Sequence, residues 1–224
     1  MLNINDRPQW RVLKGGSRSY VEKIAAELGP DRIRLNSPVT HIDRSDASVT
    51  LTTNQGQEQF DQVILACHSD QALGMLSTPS AQERDILGAI PYKQNEVILH
   101  TDASILPKAK KAWASWNYHI NTQAQDSVAV TYYMNRLQNF NDASEDFCVT
   151  LNNSANIDKD KIIRAFQYAH PVFTPDGMAA QQRHHEISNH NRTHYCGAYW
   201  LNGFHEDGVN SALRVLKDFG VSLP

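Results

Sequence analysis

A chain of 224 residues with a formal net charge of −3 at pH 7 has room for one domain or for two interleaved lobes. Its charged residues form no basic stripe, which excludes the footprint of a nucleic-acid binder, and its longest apolar runs are strand-sized, which excludes a transmembrane segment. Met1 to Pro8 lack the apolar core of a signal peptide, and Cys67, Cys148 and Cys196, far apart within apolar or strand-like segments, read as buried free thiols in a reducing cytoplasm.

From the N-terminus, Trp10-Arg11-Val12-Leu13 reads as a short strand. Lys14-Gly15-Gly16-Ser17 turns it into a helix with the apolar stripe Tyr20, Val21, Ile24, Ala25 and Leu28, ended by Gly29-Pro30. Strand signals follow at residues 32–35, 39–43 and 48–53, the last two flanking the polar turn Arg44-Ser45-Asp46-Ala47. A second turn at residues 54–57 leads through Phe60 and Asp61 into Val63-Ile64-Leu65-Ala66-Cys67. Alternation in the hairpin predicts half burial, and the continuous apolar run predicts a fully buried strand. Cys67-His68-Ser69-Asp70 caps a helix through Ala72, Leu73, Met75 and Leu76, and Thr78-Pro79-Ser80 opens another over residues 81–87.

The character then changes. Residues 96–100, 112–119, 128–135 and 147–151 read as four strands of an antiparallel sheet, with a short helix or loop at 137–145. The spacing of Ile162, Ile163 and Phe166 predicts a helix over 158–168, capped by Asp158 and ended near Pro171. Residues 195–200 read as a β-like run around Gly197-Ala198. A loop with Gly203 and Gly208 follows, and a helix starts near Asp207 as N-cap, with Val209, Ala212, Leu213, Leu216 and Phe219 on its apolar face. Strand, glycine loop and helix N-terminus bring backbone N–H groups and a positive dipole end together, a place suited to an anion or an electron-rich carbonyl.

In this order, Gly15-Gly16-Ser17, Val39-x-x-Ile42, Phe60 to His68, the antiparallel block, Cys196-Gly197 and Gly203-Phe204-His205-Glu206-Asp207-Gly208 resemble the C-terminal half of flavin-containing amine oxidases and bacterial FAD-dependent oxidoreductases, a group that includes phytoene desaturase-like enzymes. Trp113-Ala114-Ser115-Trp116-Asn117-Tyr118 resembles a signature of the bacterial members, and the likeness covers essentially the whole chain. It implies an α/β (α+β) fold of two lobes. An FAD lobe would be assembled from residues 1–80 and 191–224, and a mixed, largely antiparallel substrate lobe from residues 81–190. The implied chemistry is hydride transfer from an organic small molecule to FAD; amines, carotenoid-like lipids and fatty-acyl compounds all fit. The residues implied to hold FAD are Val39 at the adenine, Ala66 beside the dinucleotide, Gly197, and Gly203 and Gly208 for close approach. The first-turn amides of Gly208, Val209 and Asn210 would offset negative charge at the flavin N1 and C2 carbonyl.

Two departures from that pattern shape the expectations. The sequence contains no Gly-x-Gly-x-x-Gly, the cradle for a dinucleotide's pyrophosphate. The chain is therefore expected to be the C-terminal portion of a longer flavoprotein, to bind FAD weakly or not at all alone, and to self-associate through uncovered apolar surface. The alternative is a non-catalytic binding or assembly module, or an inert fragment, without flavin. Secondly, Ala198 follows Gly197 where many relatives carry an acid. His184, His185, His190 and His194 are crowded, but no cysteine pair or His-Glu-x-x-His accompanies them, and no metal is expected. His68 and His205 flank the implied flavin region and either could carry a proton, with a structural role the favoured reading for each; at least half of Trp113, Trp116, Tyr118, Tyr132 and Tyr133 read as core, the rest being available to wall an apolar pocket. No catalytic residue is identified.

Overall fold

The computed structural model describes residues 9–120 and 129–222. Val128, the expected start of a strand, and the segment Met1 to Pro8 lie outside them. The chain divides into two compact units, one of Met1–Arg34 with Gln94–Ala169 and one of Leu35–Lys93 with His170–Pro224. The long strands Tyr92–His100 (β5) and Ile162–Pro171 (β9) each cross a division between these units.

In the second unit, Val39–Arg44 (β1), Val49–Thr53 (β2) and Gly56–Phe60 (β3) form an antiparallel meander. Val63–Leu65 (β4) pairs in parallel with Thr193–Tyr195 (β10), Leu65 opposite Tyr195. Four helices accompany them: Ser69–Met75 (α2), Ala81–Gly88 (α3), Pro175–Gln182 (α5) and His205–Leu216 (α6). Ile42, Leu65, Leu76, Ile86, Tyr195 and Trp200 belong to one buried cluster, so segments on both sides of residues 94–169 share a core.

Through this core runs a buried ion pair. Ser80 caps α3 by accepting from the Glu83 amide at 3.1 Å, and the Glu83 carboxylate returns the bond to the Ser80 amide at 2.7 Å. The same carboxylate receives both terminal nitrogens of Arg44 and the Tyr195 hydroxyl, the latter at 2.7 Å. Arg44 also donates to the Thr78 carbonyl at 2.9 Å and to Thr193 Oγ1 at 3.3 Å. Glu83 is 1% exposed. Burial disfavours its charge, but the donors of Arg44, Tyr195 and Ser80 outweigh burial and hold its carboxyl down at about 2. The Tyr195 hydroxyl is pushed up by burial and by its bond to that carboxylate.

The first unit is built on a five-stranded sheet in the order β6-β7-β8-β5-β9, where β6 is Trp116–His119, β7 Ala129–Tyr133 and β8 Cys148–Leu151. The pairs β6–β7, β7–β8 and β8–β5 are antiparallel, as the alternating pattern predicts. The short helix Met134–Leu137 (α4) follows β7 directly. The helix Arg18–Leu28 (α1) forms as expected, but its stripe is not a core face: Val21, Ile24 and Leu28 are each about half exposed.

Several local expectations are corrected. Residues 158–168 are not a helix. Asp158 caps only the 3-10 turn Lys159–Lys161, accepting from the Asp160 amide at 3.1 Å, and the chain then extends as β9. Ile162 and Phe166 are four apart, a spacing compatible with both periods. Period two prevails here: Arg164 lies over the Phe166 ring and Phe166 stacks on Tyr168. Among the described residues, 10–13 and 32–35 form no strand. The 3-10 turn Pro30–Arg32 and Asn36 at φ 56° divert the second of these. The β4 strand is only partly buried, with Ile64 43% exposed. The expected run at 195–200 ends at Tyr195 and becomes the 3-10 turn Ala198–Trp200.

Removing one partner of the buried pair leaves a stranded charge, so Arg44→Met or Glu83→Leu alone should destabilise the chain by about 3–5 kcal/mol, and the double variant by less than the sum. The Glu83 carboxyl lies below its ordinary 4.5, so its stabilisation is complete above about pH 4.5 and is lost as pH falls toward about 2. Urea denaturation at a series of pH values should show that slope, and Glu83→Gln should flatten it.

Candidate functional site

The parallel strands β4 and β10 end side by side, and the Cys196 amide extends the ladder by donating to the Leu65 carbonyl at 3.0 Å. Beyond this end, β4 continues through Ala66, Cys67 and His68 into α2, and β10 through Gly197 and Gly203 into α6. The carboxyl ends of parallel strands are where open α/β sheets place ligands, because helix N-termini converge there.

The two helix starts differ. At α2 two of the first-turn donors are already used: the Ser69 amide donates to the Tyr92 hydroxyl at 3.1 Å and the Gln71 amide to Asp70 Oδ1 at 2.8 Å. His68 stacks on the Tyr92 ring at 4.4 Å, a structural placement. At α6 the N-cap is Phe204, not Asp207. Asp207 stands at the third helical position and accepts the Phe204 amide at 2.9 Å. The Gly208 amide donates to the Phe204 carbonyl at 3.1 Å, inside the helix ladder. The first-turn amides are therefore those of His205, Glu206 and Asp207, which corrects the expected set at 208–210. The cause is local: the Asp207 carboxylate satisfies the Phe204 amide and moves the helix start three residues upstream.

Gly197 is the position where glycine is indispensable. Its φ is 154°, and a Cβ there would sit 2.5 and 2.8 Å from carbons of the Tyr199 ring. Its amide donates to Ser211 Oγ at 2.8 Å, and Ser211 Oγ donates to the Gly208 carbonyl at 2.8 Å, which ties the end of β10 to the first turns of α6. Gly203 takes φ 91° and its amide donates to the Ala198 carbonyl at 3.1 Å. Gly208 is less constrained than expected, since a Cβ there would meet only the Ala198 methyl at an ordinary 3.9 Å.

Gly197, Gly203 and Gly208 thus stand on one connected segment at this end, beside exposed Ala66, with Val209 and Asn210 exposed on the helix that follows. Val39 belongs to the antiparallel meander, a different sheet, where it packs against the core at the start of β1 next to a bulge.

Two groups that the sequence reading missed lie at the same end. Tyr199 is 5% exposed and Ser69 fully buried; among the described residues the Ser69 hydroxyl has no hydrogen-bond partner, and the Tyr199 hydroxyl lies beside Trp200. Burial, with Tyr92, Cys67 and Cys196 nearby, pushes the Tyr199 hydroxyl well up. The signal for them was a tyrosine two residues after a strand-ending glycine and a serine opening a helix. Cys67 and Cys196 are free thiols, and burial raises both, so neither is an activated thiolate.

A polar depression of about 520 Å³ lies among Arg44, Ser45, Asp46, Thr78, Asn191 and Arg192, before the first residue of β10 and so at the opposite end of the parallel pair. Arg192 spends its donors there on the carbonyls of Asp46 and Asp61. Among the described residues, no group of three or more His, Cys, Asp or Glu is placed to hold a metal ion, and no helix is long and apolar enough to cross a membrane.

The aromatic set of the first unit divides by strand alternation. Trp113 packs on Tyr133, whose hydroxyl donates to Asp146 and is pushed up to about 12 by burial and that carboxylate. Trp116 packs on Tyr132 and Trp10; Trp116 and Tyr118 remain 40% and 66% exposed.

Comparison with known proteins gives consistent matches. Residues 1–114 match the family described as flavin containing amine oxidoreductase. The chain is 38% identical over 66 residues to the protein named flavin-containing monoamine oxidase AofH of Mycobacterium tuberculosis, a match covering 30% of this chain and 14% of that one. It is 41% identical over 61 residues to an L-amino acid dehydrogenase of Synechocystis, covering 27% of this chain and 13% of that one. In fold it is similar to a conjugated-linoleic-acid-producing fatty acid isomerase from P. acnes, with TM-score 0.67 at 17% identity, over 92% of this chain and 52% of that one. It is also similar to cyclohexylamine oxidase from Brevibacterium oxydans, with TM-score 0.56 at 12% identity, over 92% and 53%. The chain thus spans about half the length of the solved structures that it matches.

The two glycines at this end should respond in opposite ways. Gly197→Ala forces a methyl into the Tyr199 ring and should destabilise the chain by about 1–3 kcal/mol, whereas Gly208→Ala, a helical position with room, should be neutral or stabilise by up to about 1 kcal/mol. Thermal and urea denaturation of the two variants would check this order.

Proposed function

The chain belongs to the family of flavin-containing amine oxidoreductases, and from that premise we propose that it is part of an FAD-dependent oxidoreductase that moves a hydride from an organic small molecule to flavin. The observation that carries this reading is the convergence at one end of the parallel pair: exposed Ala66, the Gly197-to-Gly203 loop, and the first turn of α6. When bound, FAD supplies the two-electron acceptor, and the protein supplies position and electrostatics.

The residues present fit one part of that cofactor better than the rest. Glu206 and Asp207 both lie in the first turn of α6, and two carboxylates oppose a diphosphate. They tolerate a neutral ring, and their oxygens accept from sugar-like hydroxyls. The buried Tyr199 and Ser69 hydroxyls add polar capacity at the same end. Gly197 and Gly203 would therefore allow close approach of the isoalloxazine and ribityl portion, with the first-turn amides of α6, upstream of Gly208, donating toward it, Gly208, Val209 and Asn210 lining it from the next turn, and Ala66 offering an unobstructed backbone. Val39 is assigned, through its backbone, to the adenine side. The second unit would be the flavin part, and the antiparallel sheet of the first unit the part that receives a small-molecule substrate. The three free thiols support a reducing cytoplasm.

A second reading, a binding or assembly module without flavin, is favoured by the absence of Gly-x-Gly-x-x-Gly from the 224 residues. Fluorescence titration separates the two. The chain by itself should bind riboflavin and FAD with similarly low affinity and ADP not at all, and Gly208→Val should abolish the flavin signal. Preference for FAD and ADP over riboflavin would overturn the assignment of this end to the isoalloxazine. No flavin binding, even after fusion of a strand–Gly-x-Gly-x-x-Gly–helix unit to the N-terminus, would favour the flavin-free module.

Self-association is part of the same proposal. Among the described residues the parallel sheet has two strands, Ile64 is exposed within it, and α1 turns Val21, Ile24 and Leu28 to solvent. Sedimentation should find dimers or larger species, and a hydrophobic dye should fluoresce on the chain; a monodisperse monomer that binds no dye would remove this element.

A further inference from the structure

Four polar side chains on four neighbouring strands of the first unit are joined end to end. His100 on β5 meets Thr150 on β8 through Nε2 at 2.8 Å, Thr150 Oγ1 meets Thr131 Oγ1 on β7 at 2.8 Å, and Thr131 Oγ1 meets His119 Nε2 on β6 at 2.8 Å. His100, Thr131 and Thr150 have no exposed surface, and His119, on the edge strand, is half-buried.

One contact sets the direction of the whole row. The Asp102 backbone amide donates to His100 Nδ1 at 3.1 Å. A backbone amide can only donate, so Nδ1 carries no proton and neutral His100 carries it on Nε2. That proton goes to Thr150. If Thr150 donates to Thr131 and Thr131 to His119, every hydrogen in the row has an acceptor. In the reverse arrangement, with His119 donating to Thr131 and Thr131 to Thr150, the Thr150 hydrogen has no acceptor in the row, and a buried unpaired donor is unfavourable. We infer that His100, Thr150 and Thr131 form a one-directional hydrogen-bond chain that holds His119 as its neutral Nδ1–H tautomer, so that His119 faces outward as a hydrogen-bond donor and not as a base.

Protonating His119 would place an N–H against the Thr131 hydroxyl hydrogen, and the row cannot reverse because its far end is locked by the Asp102 amide. Burial lowers the proton affinity of both histidines in agreement with this, opposed at His100 by the Asp102 carboxylate. That carboxylate is itself bound to Lys161, and Cys148 is the other ionisable group beside His100, its partner across β8. Toward His119, β7 presents Ala129 and Thr131 and no ionisable group on that face; Tyr118 and Tyr132 lie on the other by alternation. A ligand at this edge would therefore be one with an acceptor, such as a carbonyl, a carboxylate or an amine lone pair. This inference does not depend on flavin binding.

Long-range imidazole proton–nitrogen correlation spectra of the ¹⁵N-labelled full chain, with His119 identified by its loss in His119→Gln, test it. The wild type should show the Nδ1–H tautomer and a titration midpoint below the ordinary ~6.5. Thr131→Val removes the hydroxyl hydrogen that reaches Nε2, so it should shift His119 toward the Nε2–H tautomer and raise its midpoint, while Thr131→Ser keeps the wild-type pattern. An Nε2–H tautomer in the wild type would overturn the inference whether or not Thr131→Val folds, and so would a folded Thr131→Val whose His119 signals are unchanged.

Discussion

Glu83 accepts at once from Arg44, from the Tyr195 hydroxyl and from the Ser80 amide, in a place water scarcely reaches. The elements it joins are β1, β10 and the start of α3, drawn from residues far apart in the chain. Taking two charges out of water is expensive, and the pair is tolerable only because almost every lone pair and proton nearby has a partner. That demand for completeness makes the contact specific. A β10 strand shifted by one residue would turn Tyr195 away from the carboxylate and leave it short of a donor. The register of the parallel pair, and with it the place where β10 ends, follows from this arrangement.

The geometry of the candidate site depends on where that strand ends. Tyr195 is held in the core, so Gly197 comes two residues later against the Tyr199 ring, where only a glycine fits. Ser211 then bridges Gly197 to Gly208 and fixes the first turns of α6 relative to the strand. In the flavin reading proposed above, Glu206 and Asp207 in that turn suit a neutral ring and hydroxyls better than phosphates.

Both units contain a buried polar row, and the rows do different things. In the second unit the row is ionic and converges on one carboxylate, so it joins segments. In the first unit it is neutral and linear, running His100, Thr150, Thr131, His119 across adjacent strands, so it transmits orientation from one amide to an edge. Each is demanding because a half-satisfied buried network is worse than an apolar one.

Much was legible in the sequence by itself. The turns of the meander, the Ser80–Glu83 capping pattern, the helices at α1, α2, α3 and α6, and the antiparallel character of β6 to β8 all follow from interactions within a few residues or from simple alternation, and the order of the motifs indicated the family. Only the tertiary structure decided the rest. Whether residues 162–171 coil or extend depended on pairing at the edge of the sheet, since Ile162 and Phe166 suit either period. Which glycine is strict depended on the Tyr199 ring, and where α6 starts on the Asp207 side chain turning back to Phe204. The Arg44–Glu83, Glu83–Tyr195 and Arg44–Thr193 contacts span 39, 112 and 149 positions. Local patterns report whom a residue can meet within one turn or one pleat; burial of polar groups is settled by partners that only the folded chain brings within 3 Å.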